Sequence, residues 1–115
     1  MSMPKLPTSR PLPVLDLRLD LPAPDVGDAV ATAAILGDPI RASIIRMLRG
    51  GPVCVCELAA ALDSRENNVS NHLAKLRDAG LVLAGRYEAD TRRVYYERDE
   101  AACRRALAAL AEVLG

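Results

Sequence analysis

Two of the three cysteines stand one residue apart, as Cys54-Val55-Cys56, and these side chains have the most distinctive chemistry in the chain. Thiolates are soft donors that select soft metal and metalloid ions over hard ones such as magnesium. Residues i and i+2 of a regular helix point away from each other, so both sulfurs can hold one ion only where the helix start is distorted or extended. Pro52 and the Gly50-Gly51 pair just before the motif make such a start easy to form. The remaining thiol, Cys103, has two readings. It completes a ligand set, within one subunit or across a dimer, or it is a core cysteine at helical spacing with Leu107 and Leu110.

A second group of side chains suits contact with nucleic acid. Asn67, Asn68, Ser70, Asn71 and Lys75 fall opposite Val69, Leu73 and Leu76 on what the spacing predicts is one helix. Asn pairs bidentately with adenine, Ser reaches bases or phosphate, and Lys suits phosphate. Arg65 stands at the helix start, where free N–H groups also favour a phosphate. Arg92 and Arg93 lie near the tip of a predicted hairpin, placed for a minor groove or the backbone. These residues also fit an ordinary solvated surface. The concentration of amides and hydroxyls beside a basic hairpin favours DNA.

The elements that must position these groups are legible in the pattern. Asp28 is the expected cap of a first helix ending at Leu36, with Gly37 as its stop. Asp38-Pro39 starts a second helix that buries Ile40, Ile44, Met47 and Leu48 and ends at Gly50-Gly51. A third, short helix covers about Cys54 to Leu62. Asp63 or Ser64 caps the fourth, which Gly80 closes. Segments Leu81 to Glu88 and Arg93 to Arg98 form a hairpin around Ala89-Asp90-Thr91. Asp99 caps a last helix to about Leu114, whose apolar surface is broader than one small core needs, so a dimer through the terminal helices is expected.

Composition bounds the rest. A chain of 115 residues is one domain, residues 28–115, preceded by a proline-rich arm over residues 1–27. In that arm Leu15, Leu17, Leu19 and Leu21 alternate with polar residues, as an extended segment packing on a surface or a loose leader would. With no Phe, no Trp and abundant Ala, the fold should be mainly α with a small β-hairpin. The formal charge of zero decides nothing about partners. An odd cysteine count does not read as a disulfide framework, so a reducing cytoplasm is expected. The first residues lack the apolar block and cleavage site of a signal peptide, and no apolar run reaches the roughly 18 residues needed for a membrane span, so neither a leader nor a membrane partner is expected. A nucleotide loop is absent, and the single His has no evident nucleophile partner, so neither an enzyme nor an organic cofactor is expected.

Three segments together resemble the signature of the ArsR/SmtB family: Leu36-Gly37-Asp38-Pro39-Ile40-Arg41, Asn68-Val69-Ser70-Asn71-His72-Leu73 and Leu76-Arg77-Asp78-Ala79-Gly80-Leu81-Val82. The resemblance covers about Asp28 onward. It implies a winged helix-turn-helix homodimer that binds inverted-repeat operator DNA and represses resistance or efflux genes until an inducer arrives. His72 matches a position often histidine on the family's reading helix; it is counted with the DNA-binding residues of that helix, and a polar contact there is expected in place of metal ligation.

Cys54-Val55-Cys56-Glu57-Leu58 resembles the CVCDL element of the family's arsenic, cadmium and lead sensors. The chain departs from them at Ala59, where arsenic sensors often carry a third cysteine, and in an arm without cysteines, where cadmium and lead sensors have theirs. The final helix lacks the His residues of zinc and nickel sensors. The resemblance therefore implies release by As(III), or by Cd(II) or Pb(II), at Cys54 and Cys56, with Cys103 the one thiol left to join them. Two other readings stand beside it: a thiol-redox or sulfide-responsive repressor of the same fold, in which Cys103 and one of the pair form a disulfide or persulfide bridge, and a winged-helix adaptor that binds protein.

Overall fold

The structure, a computed structural model, describes residues 21–87 and 90–115. Helix α1 spans Gly27–Leu36 and α2 Pro39–Met47, continued by a 3₁₀ turn at Leu48–Gly50. Strand β1 is Val53–Cys54, followed without a break by α3 at Val55–Ala61 and then by α4 at Glu66–Asp78. Strands β2 (Val82–Tyr87) and β3 (Asp90–Arg98) lead into α5, Glu100–Leu114. Most of the arm, including Leu15, Leu17 and Leu19, lies outside the described residues. Leu21 is exposed.

The core contains Ile44, Leu48, Val69, Leu73 and Leu76, as their spacing predicted, joined by Leu58 and Val82, while Ile40 and Met47 are only half-buried beside it. Ile44, Leu48, Leu58, Val69, Leu73, Leu76 and Val82 are at most 1% exposed and pack as one cluster. Helices α2, α3 and α4 converge on it, and α4 continues into β2 through a tight stop. There Gly80 takes φ 79°, a left-handed conformation that suits glycine. The Gly80 amide donates to the Arg77 carbonyl and that of Leu81 to the Leu76 carbonyl, satisfying the last turn of α4. Leu81 thereby enters the core beside Leu76.

Capping holds in two places and differs in two. Asp38 accepts from the amides of Ile40 at 2.8 Å and Arg41 at 3.3 Å, with Pro39 in the first turn. Asp99 accepts from Ala102 at 3.0 Å. Asp28, the expected cap of α1, instead lies inside its first turn, because the helix begins at Gly27 with Val26 at the N-cap position, and Asp25 accepts from the Gly27 amide at 3.0 Å. Neither Asp63 nor Ser64 caps α4. Its N-cap position is Arg65, Asp63 turns through φ 49°, and the Ser64 hydroxyl accepts from the Asn68 side chain at 2.9 Å. Gly37 does stop α1, but in the right-handed region, so its flexibility is not what ends the helix.

The sheet is larger than the expected hairpin. β3 begins at Asp90, earlier than Arg93, and pairs antiparallel with both β2 and β1, giving the order β1-β3-β2. Val53 faces Tyr96 and Cys54 faces Tyr95 in register. Gly51, at φ 123°, and Pro52 end the preceding helix and release an extended pair of residues that finds the free edge of β3.

α5 contributes no buried residue, although Ala102, Cys103 and Ala106 lean on the core. It packs beside α1, and the pair leaves Val30, Leu107, Val113 and Leu114 more than half exposed. Among the described residues no helix is long and apolar enough to cross a membrane.

Candidate nucleic-acid interface and thiol site

Helix α4 stands over α3 with Val69, Leu73 and Leu76 buried beneath it. The opposite side carries Asn67, Ser70, Asn71 and Lys75, all exposed, with Arg65 exposed at its start. Asn68 is exposed too, but its amide is engaged by Ser64 one turn earlier. On β3, Arg92 and Arg93 are exposed next to the half-buried Val94. The helix and the strand edge bound one groove of about 430 Å³, lined by Glu66 and Ser70 from α4 and by Arg92, Arg93 and Val94 from β3. A helix with a polar outer face beside a basic β-ribbon can lay the helix in a major groove and the ribbon on the neighbouring backbone.

His72 is set apart from its neighbours. Its side chain is 14% exposed, and its Nδ1 lies 3.3 Å from Arg41 Nη1 and 3.9 Å from Asp38 Oδ1. Although it was grouped with the DNA-binding residues, the polar contact the structure gives it lies inside the protein, toward the start of α2. Arg41 is the residue behind α4 that reading the sequence missed, and Asp38 was read only as a cap. The signal for Arg41 was its presence in the signature segment, which says nothing of what it touches.

Partial burial pushes the Asp38 carboxyl upward, but hydrogen bonds from the Arg41 and Ile40 amides, then the electrostatic effect of the neighbouring His72 and Arg41, outweigh it and hold the group below the usual carboxylate range. A carboxylate depressed in the folded state stabilises the protein above its unfolded pKa, about 3.9. That contribution is lost as pH falls through the folded value. Asp38→Asn keeps a capping oxygen and removes the charge. Its stability difference from the parent, measured by urea melts at neutral pH and again near pH 3, is expected to shrink on the acid side.

The same groove is lined on its third side by Cys54, Val55 and Cys56. Cys54, 1% exposed, is extended at φ −81° and ψ 156° as the residue before α3, while Cys56 sits in the first turn. That break from helical geometry turns both sulfurs to one side, with the Cα atoms 5.4 Å apart, and the structure joins them as a disulfide. The sequence had suggested free thiols here. What the two readings share is sulfurs side by side, which a single soft ion requires of the reduced pair.

Cys103 is not brought to them. Its thiol points at the Leu81 carbonyl, 3.8 Å away, and it packs on the core. Among the described residues no three His, Cys, Asp or Glu side chains are grouped so as to hold a metal ion. Among the described residues, the sulfurs placed side by side are those of Cys54 and Cys56.

Comparison with known proteins places these features in a family context. Residues 38–83 match the family model described as bacterial regulatory protein, arsR family. The chain is 46% identical over 50 residues to the arsenical resistance operon repressor of Escherichia coli strain K12, covering 43% of each chain. It is 42% identical over 79 residues to the HTH-type transcriptional regulator CmtR of Mycobacterium tuberculosis strain H37Rv, covering 69% of this chain and 64% of the relative. The matches thus span less than two thirds of the length of these curated relatives. Among solved structures, the transcriptional regulator HlyU of Vibrio vulnificus CMCP6 is 30% identical, with a TM-score of 0.57 over 70% of this chain and 81% of that one.

Proposed function

Because the chain belongs to the ArsR family of bacterial regulatory proteins, a family of DNA-binding regulators and not of enzymes, we propose that it is a homodimeric repressor released from its operator by a soft metal or metalloid ion. As(III) is the leading inducer, with Cd(II) or Pb(II) the close variants, and the thiolates of Cys54 and Cys56 capture it. Asn67, Ser70 and Asn71 meet base edges. Arg65, Lys75, Arg92 and Arg93 neutralise phosphates, and Asn68 shapes the helix start through Ser64.

One observation carries this reading: the cysteine pair, the α4 residues Glu66 and Ser70, and the β3 cations line a single groove. An ion seated on the sulfurs lies between the two elements that would hold DNA, and it pulls on the start of α3, the helix that braces α4. Coupling of about 1–3 kcal/mol between two sites changes affinity by roughly 5–150-fold. The packing of Cys103 against Leu81 favours its structural role, so the further donors that As(III) needs come from a small thiol or the second subunit.

The test is a gel-shift of a promoter fragment with the reduced chain, titrated in parallel with arsenite, cadmium, lead and zinc. Release by arsenite, cadmium or lead at concentrations where zinc has no effect is the expected result. A complex that survives every soft ion refutes the assignment.

The Cys54–Cys56 disulfide favours a second reading, in which a peroxide-class oxidant takes two electrons from the pair, two protons leave, and the bond itself is the signal. Release by mild oxidant in the absence of any metal distinguishes it. A protein-binding adaptor predicts no salt-dependent DNA affinity at all.

A further inference from the structure

We propose that Arg41 and His72 are positioning residues that set the rotation of α4 about its own axis and tie it to α1. The proposal rests on the reading of α4 as the DNA-contacting helix and goes beyond it, since neither residue is expected to touch a base.

The geometry is that of a three-way junction. The Arg41 guanidinium donates from Nε to the Ile35 carbonyl and from Nη2 to the Ala34 carbonyl at 3.4 Å, so it closes the C-terminal end of α1. Its third nitrogen, Nη1, reaches His72 Nδ1 on α4 at 3.3 Å. The Arg41 backbone is in turn fixed by Asp38, which accepts from its amide at 3.3 Å. One planar cation therefore links α1, α2 and α4, and the fork geometry of arginine allows this where a lysine ammonium does not.

The chemistry fixes the imidazole as well. A guanidinium can only donate, so Nδ1 must accept through its lone pair, which leaves the proton of the neutral ring on Nε2. Asp38 Oδ1, 3.9 Å from Nδ1, is too distant to compete by a hydrogen bond. Ring orientation and tautomer follow from one partner.

The position of His72 makes this contact matter for recognition. It follows Ser70 and Asn71 directly, and Leu73 beyond it is fully buried. Leu73 and its apolar neighbours resist lifting of α4 but are non-directional, so they tolerate a small rotation. A directional bond at His72 does not. With side chains reaching about 6 Å from a helix axis, a turn of about 20° moves their tips by about 2 Å, enough to break a base contact. Because α1 packs beside α5, the same bond connects the orientation of α4 to the pair of terminal helices.

The experiment measures binding of the full chain to its promoter duplex and to a scrambled duplex of equal length, across a salt series. His72→Leu removes the acceptor. His72→Asn restores one at the position of Nδ1, and Arg41→Lys removes the fork. His72→Leu and Arg41→Lys are expected to lower the ratio of specific to non-specific affinity by about tenfold or more, with the salt slope and non-specific affinity unchanged. His72→Asn should stay within about threefold of the parent, a rescue that a purely space-filling role does not predict.

Nitrogen NMR of the parent should show His72 protonated at Nε2 only, and this reading stands even where His72→Leu fails to fold. Protonation at Nδ1, or an unchanged specificity ratio in Arg41→Lys and a folded His72→Leu, overturns the positioning link alone. A parent chain with no preference for its promoter overturns the DNA reading and the link together.

Discussion

Serine at position 54 or 56 is expected to leave operator affinity within about threefold of the parent and to abolish release by arsenite. The reason lies in where the sulfurs sit. Cys54 is buried at the edge of β3, where serine is nearly isosteric and the strand pairing to Tyr95 is made by the backbone. Cys56 is half-buried at the groove wall and has no role in the core cluster. Neither change touches the exposed face of α4. What each removes is half of a donor pair that has no substitute nearby among the described residues. The parent should lose about 5–150-fold in operator affinity as the ion binds. Cys103→Ser is the control: with its thiol aimed at the Leu81 carbonyl, it should retain release. Retained release in both the Cys54 and Cys56 variants removes the assigned site, whereas loss of release only in the Cys103 variant transfers the site to α5.

The second large effect belongs to the terminal helices. Leu107→Glu should convert a dimer into a monomer at micromolar concentration and weaken binding to a two-half-site operator by about 10²–10⁴-fold, since linked half-sites gain that much from joint engagement. Leu107 is 67% exposed and α5 has no buried residue, so the substitution costs the single chain little. Leaving such a residue in water together with Val113 and Leu114 has no benefit for an isolated chain, whereas burying them against a second copy removes apolar area from water. Sedimentation velocity reads the oligomeric state, and an isolated half-site duplex reads what one subunit retains. The half-site affinity should be unchanged. A Leu107→Glu chain that still sediments as a dimer shows that another surface joins the copies.

These effects are separable because they arise at different places in the fold. The proposed release involves α3 and the groove, the proposed dimerisation involves α1 and α5, and the Arg41–His72 contact lies between α2 and α4. A substitution that changes release without changing assembly, or the reverse, distinguishes them.

Much of this was legible before any coordinates. Periodicity alone identified Ile44, Leu48, Val69, Leu73 and Leu76 as core, because burying an amphipathic face leaves a helical repeat in the sequence. Asp38 and Asp99 were legible as caps since the partners of an N-cap side chain lie only two or three residues ahead. The spacing of Cys54 and Cys56, with glycines and proline before them, pointed to a distorted helix start, and the extended backbone at Cys54 is that distortion. Each of these depends on residues near one another in the chain.

Tertiary structure decided what depends on distant partners. β1 exists because Val53 and Cys54 find the free edge of β3 some 40 residues later, a pairing invisible in two residues. His72 looks like its polar neighbours in sequence, yet packing rotates it toward Arg41, 31 positions away. Cys103 could be read as a core cysteine, the default at its spacing, or as a ligand, and only the docking of α5 shows its thiol directed at the Leu81 carbonyl. The physical reason is common to all three: local pattern specifies which face of an element is buried, while the partner a polar or sulfur atom meets depends on how the elements are docked.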